Sequence, residues 1–118
     1  MEERKVKGKQ KLTNLSGDAL RVYVHLREGK KYARSRAFLA RKTGMTDRQV
    51  RKGIADLRAA GYPVCSITAH PGGYWLTKDA AELREFIAQL EEQRDYFGKA
   101  IRRLRDRLKE VENGKVRF

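Results

Sequence analysis

Between Ser16 and Glu112 the apolar positions recur every three or four residues, except over residues 62–77, where β-formers crowd together. That contrast predicts helices on both sides of one short β segment. Ser16 can cap a first helix with Asp18 in its opening turn, where the helix dipole favours a negative charge. Leu20, Tyr23, Val24 and Arg27 follow at helical spacing, and Gly29 is a natural stop. "KKYAR" (30–34) then reads as a connector or a small strand. Ser35 caps a second helix, "RAFLARKT", which Gly44 ends. Thr46 caps a third, with Gln49 three residues on completing a capping box, and this helix ends at Gly61. "YPVCSI" and "YWLT", joined by "TAHPGG", predict a β-hairpin. Asp79 opens a long helical pattern that runs to Glu112, before Asn113-Gly114. The expected class is mainly α with a small β-hairpin.

The third helix has two unlike faces. Val50, Ile54 and Leu57 form its packing stripe. Arg48, Lys52, Ala55 and Ala59 lie opposite, flanked by Gln49 and Arg51. Small alanines let such a helix sit deep in a groove, and the Arg, Lys and Gln side chains can reach phosphates and base edges.

The last helix has a different design. Leu83, Ile87, Leu90, Arg94, Phe97, Ile101, Leu104, Leu108 and Val111 are spaced alternately by four and three. That is a heptad seam with one polar position, Arg94, and with Gly98 weakening the helix by ~1 kcal/mol relative to Ala. A helix over 79–112 is ~50 Å long, more than this small domain can cover. A second copy is the simplest partner, and Leu83, Ile87, Leu90, Phe97, Ile101, Leu104 and Leu108 are the expected dimerisation residues. Residues 79–95 carry two basic and six acidic side chains (−4), and residues 96–118 carry eight and three (+5), which favours an antiparallel pair.

Charge sharpens this picture. The 118 residues carry a net +13 and are 36% charged, which points to a polyanionic partner, nucleic acid before an anionic membrane. The surplus is concentrated: residues 1–14 net +3, residues 15–78 net +9 and residues 79–118 net +1. "MEERKVKGKQKLTN" has almost no apolar content and reads as a disordered basic arm, either a solvated tail or a segment that lies along DNA. The expected organisation is arm 1–14, core domain 15–78, dimerisation helix 79–112 and tail 113–118. No apolar run reaches the roughly 18 residues of a membrane span, and no signal peptide is evident. With Cys65 as the one cysteine, a cytoplasmic location is expected, in a bacterial or phage-infected cell.

Catalytic chemistry finds little support. Gly72-Gly73 is a turn and not a nucleotide-binding loop. His25, Cys65 and His70 are too few for a closed zinc site, which takes four ligands. The expectation is no enzyme, no metal and no cofactor. Trp75 must lie on the opposite strand face from Tyr74 and Leu76, so the long helix is its expected cover.

"FLARKTGMTDRQVRKGIADL" resembles a helix-turn-helix, with Leu39 and Ala40 in the first helix, Gly44 in the turn and Val50 in the second. It departs from that pattern at Gly53, where a larger apolar residue is usual. "DLRAAGYPV…PGGYWLT" resembles the end of the recognition helix and the wing in winged helix-turn-helix domains of the biotin-repressor N-terminal type. The appended helix gives the chain the look of small phage or mobile-element proteins. The resemblance covers about residues 16–78 and implies that helix 46–60 enters the major groove of double-stranded DNA, with Arg48, Gln49, Arg51 and Lys52 as contacts. Arg36, Thr46, Arg58 and His70 complete the expected DNA-contact set. Residues 62–77 contain no Lys or Arg, so this wing contributes little affinity beyond His70, Thr68 and backbone N–H groups. The expected function is transcriptional regulation as a homodimer. The alternatives are recognition of a phage replication origin or DNA-packaging site, and a coiled-coil adaptor with weak DNA binding.

Overall fold

The computed structural model describes residues 15–68 and 72–115. Its elements are α1 (Gly17–Tyr23), α2 (Arg36–Thr43), α3 (Asp47–Ala59), β1 (Val64–Ile67), β2 (Gly73–Leu76) and α4 (Ala80–Glu112), with a 3-10 turn at Lys30–Tyr32. Four helices and one antiparallel hairpin make a mainly α fold, a winged helix-turn-helix followed by a long helix. The chain divides into two compact units, one up to Leu83 and one from Arg84.

In the first unit, three serine or threonine side chains start three helices. Ser16 Oγ accepts from the Ala19 amide, Ser35 Oγ from the Phe38 amide, and Thr46 Oγ1 from the Gln49 amide. The Gln49 carboxamide returns a bond from the Thr46 N–H at 2.9 Å, which completes the capping box. Gly44, in the left-handed conformation (φ 73°), ends α2 and turns the chain into α3. Met45 buries its side chain beside that turn. The core is Ala19, Val22 and Leu26 from the α1 region, Leu39 from α2, Val50, Ile54 and Leu57 from α3, and Val64 from β1, with Leu15 and Met45.

Two expectations change. The first helix stops at Tyr23, well short of Gly29, and its inward positions are Ala19 and Val22; Val24 is exposed. The reason is competition from β2. The Leu76 amide donates to the Arg27 carbonyl, the Gly29 amide donates to the Leu76 carbonyl, and Arg34 and Tyr74 exchange both their backbone bonds. The connector between α1 and α2 therefore lies along the outer edge of β2 through isolated bridges and a 3-10 turn, and is not a regular strand. Gly73 (φ 145°) permits this: a Cβ there would sit 3.0 Å from the Ala33 Cβ.

Trp75 is buried, while Tyr74 and Leu76 are partly buried and pack on the core from the other strand face. Its indole N–H donates to Glu82 Oε1 at 3.1 Å, and the same oxygen accepts from Thr77 Oγ1 at 2.7 Å. The first turn of α4 thus closes over the wing. Asp79 caps that turn, accepting from the Ala81 amide at 2.9 Å.

The second unit is the rest of α4 to Glu112, followed by a turn at Asn113–Gly114. Ile87, Leu90, Phe97, Ile101, Leu104, Leu108 and Val111 are all exposed along it. No helix among the described residues is long and apolar enough to cross a membrane.

Candidate nucleic-acid interface

The amphipathic pattern of α3 fixes which side chains face out. Val50, Gly53, Ile54 and Leu57 are buried, and α1 is the main neighbour on that side. Arg48, Gln49, Arg51, Lys52, Ala55 and Ala59 are exposed. Gly53 explains the departure from the helix-turn-helix pattern: a Cβ there would lie 2.8 Å from the Asp18 carbonyl oxygen and 2.9 Å from Val22 Cγ2. The crossing of α1 and α3 is so close that no side chain fits.

The outward cations are organised by two carboxylates. Asp47 accepts from Arg36 Nε at 2.6 Å through one oxygen and from Arg51 Nε at 3.1 Å through the other. Asp56 accepts from Lys52 Nζ at 2.9 Å and from Ser16 Oγ at 2.7 Å. The Ser16 hydroxyl and then Lys52 hold the Asp56 carboxyl below its usual range, and the bond to Asp56 keeps Lys52 protonated above its own. Arg36 is likewise held protonated, first by the Tyr74 hydroxyl and then by Asp47. Among the described residues the Arg48 side chain makes no hydrogen bond or ion pair. Exposed pairs of this kind contribute little to stability, because water screens them. A phosphate can therefore replace Asp47 on Arg36 or Arg51 at little cost.

The structure brings most of the expected contact residues together and sets one, Arg58, apart. Arg36, Thr46, Arg48, Gln49, Arg51 and Lys52 lie on α2 and α3 around the turn at Gly44. Thr46 and Gln49 are committed to the capping box through their side-chain oxygens, which leaves the Thr46 O–H and the Gln49 NH₂ as donors. Gln49 thus cannot present oxygen and nitrogen side by side to an adenine unless the box opens. Arg58 turns back onto the protein. Its Nε donates to the Val64 carbonyl at 2.8 Å and its guanidinium to Ser66 Oγ at 3.1 Å, and burial lowers its pKa. It serves α3–β1 packing and does not belong with the outward set. His70 lies outside the described residues.

Sequence reasoning missed a second group. Arg34, Arg41 and Lys42 gather over the Phe38 ring, with the Arg34 guanidinium 4.3 Å from its centroid. The signal was the spacing of three and four from Phe38 to Arg41 and Lys42 on α2. These cations extend the positive field of α3 onto the preceding helix.

The role of Asp47 can be checked. Asp47→Asn removes the negative charge between Arg36 and Arg51, so affinity for any duplex should rise about threefold to tenfold at low salt. The ratio of specific to non-specific binding should fall, because both arginines lose the group that orients them. Titration of matched and scrambled duplexes measures both quantities.

Residues 18–75 match the model of a family described as an HTH domain. Neither the curated proteins nor the solved structures gave a match. The matched segment opens inside α1 and closes on Trp75, so it spans all three short helices and the hairpin. An exposed basic helix behind a left-handed glycine turn, on a hairpin-braced core, is the arrangement that such a domain uses on DNA. Residues 18–75 of this chain therefore carry a helix-turn-helix domain, whose exposed basic helix supports a role in binding DNA.

Proposed function

We propose that the protein is a transcriptional regulator that binds double-stranded DNA as a homodimer, with α3 in the major groove and residues 79–112 joining the two copies. The observation that carries this reading is the outward face of α3. Arg48, Arg51 and Lys52 surround the exposed Ala55 and Ala59, so long cationic side chains flank a shallow surface on a helix anchored by its other face. Arg36, Thr46 and Gln49 add donors at the start of that helix. The wing, of the biotin-repressor type by its sequence, braces the core and adds little to affinity. The protein acts by binding in the cytoplasm and not by catalysis; the Cys65 thiol fits that role, since burial raises its pKa and makes it a poor nucleophile.

Self-association is supported by the exposed seam of α4. Phe97 is 61% and Leu104 67% exposed, although burying such side chains contributes roughly 1.5–3 kcal/mol each. Joining two recognition helices raises the effective concentration of the second once the first is bound.

Selection of bound sequences from random duplex DNA tests the reading. Enrichment of a two-half-site sequence is expected, with affinity falling steeply as salt rises because phosphate contacts release counterions. Light scattering should give twice the 13.7 kDa chain mass. Failure to enrich any sequence would overturn the regulatory role.

A further inference from the structure

We infer that α4 pairs with a second copy of itself in antiparallel orientation, in the register that sets Arg94 of one chain against Phe97 of the other. The inference rests on the homodimer proposed above and adds its orientation and register. It follows from the order of side chains on the exposed seam.

Within the heptads, Ile87, Arg94, Ile101 and Leu108 occupy a positions, and Leu90, Phe97 and Leu104 occupy d positions. A parallel pair in register stacks each residue on its own copy. It would set Arg94 against Arg94 in the middle of the seam, two like charges in a layer that should be apolar. An antiparallel pair instead places a positions against d positions. One such register puts Leu83 against Leu108, Ile87 against Leu104, Leu90 against Ile101, and Arg94 against Phe97. Every layer then contains two large apolar side chains or one arginine over an aromatic ring. Arg94 can lay its stem along the seam and its guanidinium on that ring.

The flanking e positions select the same register independently. They hold Arg84, Glu91, Gly98, Arg105 and Glu112. Side chains on a helix lean toward its N-terminus, so in this register Glu91 meets Arg105 of the second copy and Arg84 meets Glu112. By symmetry each pair forms twice. The two glycines meet near the centre, where they present no bulk. Sliding one copy by a heptad sets Glu91 against Glu112, and sliding it the other way sets Arg84 against Arg105. Either slip replaces attraction with repulsion; the first also moves Arg94 from Phe97 to Leu104, and the second leaves three paired layers in place of four. In a parallel pair, Glu91 would face Phe86 and Arg105 would face Ala100, so neither charge would find a partner. The balance of the whole helix agrees, with −4 over residues 79–95 and +5 over residues 96–118.

Charge reversal on the full-length chain tests both orientation and register. Glu91→Arg creates two like-charge contacts per dimer and should weaken dimerisation about tenfold, as measured by analytical ultracentrifugation. Adding Arg105→Glu restores opposite charges and should bring the dissociation constant back to within about threefold of the native value. Both positions are exposed, so circular dichroism should show an unchanged fold. Cross-linking gives a second readout. Leu90→Cys alone should form no interchain disulfide, whereas Leu90→Cys with Ile101→Cys should form one readily. A native dimer whose affinity ignores Glu91→Arg, or that cross-links through Leu90→Cys alone, overturns the antiparallel register and leaves the homodimer standing. A native chain that remains a 13.7 kDa monomer overturns both, and leaves the DNA-binding reading to its own assay.

Discussion

Replacing Arg48, Arg51 and Lys52 together with alanine should reduce affinity for the selected DNA site by at least about a hundredfold, since each good base or phosphate contact contributes roughly 1–3 kcal/mol. The fold should survive. All three side chains are exposed, and alanine is a better helix former than any of them. The structural losses are two exposed pairs, Lys52–Asp56 and Arg51–Asp47, each one turn apart on the same helix. Asp56 keeps its bond from Ser16, so the start of α1 remains tied to α3. The dependence of affinity on salt should also flatten, by up to about one unit of slope for each phosphate contact removed. Mobility-shift assays against a salt series, with thermal unfolding as the control, measure both effects. Native-like affinity in the triple variant would remove α3 from the interface.

The largest stability effect should come from a residue with no side chain. Gly53→Val places atoms where the Asp18 carbonyl lies 2.8 Å from the first added carbon. The obstruction is backbone, so it yields only if α1 moves away from α3. Moving α1 strains the Ser16–Asp56 bond and opens the core around Val22 and Ile54. Overpacking of this kind costs roughly 1–3 kcal/mol for modest insertions, and a branched side chain against a carbonyl belongs at or above the upper end. A loss of about 3 kcal/mol would lower the melting temperature by at least about 10 °C in a domain of this size. Gly53→Ala should also destabilise, by less, because the gain of about 1 kcal/mol in helix propensity offsets part of the clash. Ala55→Val on the outer face of the same helix is the control and should stay within about 0.5 kcal/mol of native. Calorimetry that found Gly53→Val as stable as native would mean that α1 and α3 are not so closely apposed.

What the sequence made legible was local. Ser35, Gly44, Thr46 and Gln49 act through neighbours no more than four residues away, so α2, the turn and α3 can be located from their own residues. The heptad spacing of α4 is equally self-contained. The end of α1 was not legible, because it depends on hydrogen bonds between residues 27–34 and β2, some forty residues further along. Gly53 looked like a defect in a familiar pattern until the Asp18 carbonyl showed what occupies its space. Arg58 looked like one more cation on a basic helix. Only the position of β1 reveals that it lies where the strand can capture it. The face of α3 was legible as positive, but the sharing of Asp47 between Arg36 and Arg51 was not, since Arg36 belongs to a different helix.

A two-stranded sheet ordinarily has two open borders, and each could recruit a strand from another molecule. Here both borders are occupied. The connector bonds to Tyr74 and Leu76 along β2, and Arg58 covers the outer side of β1 by binding the Val64 carbonyl and the Ser66 hydroxyl. A charged guanidinium fixed against a strand edge presents an incoming backbone with donors but no acceptor, on a group that resists being stripped of water. The hairpin is thereby closed to intermolecular strand addition. The assembly proposed above must therefore run helix against helix, because the hairpin offers a second copy no open strand border to pair with.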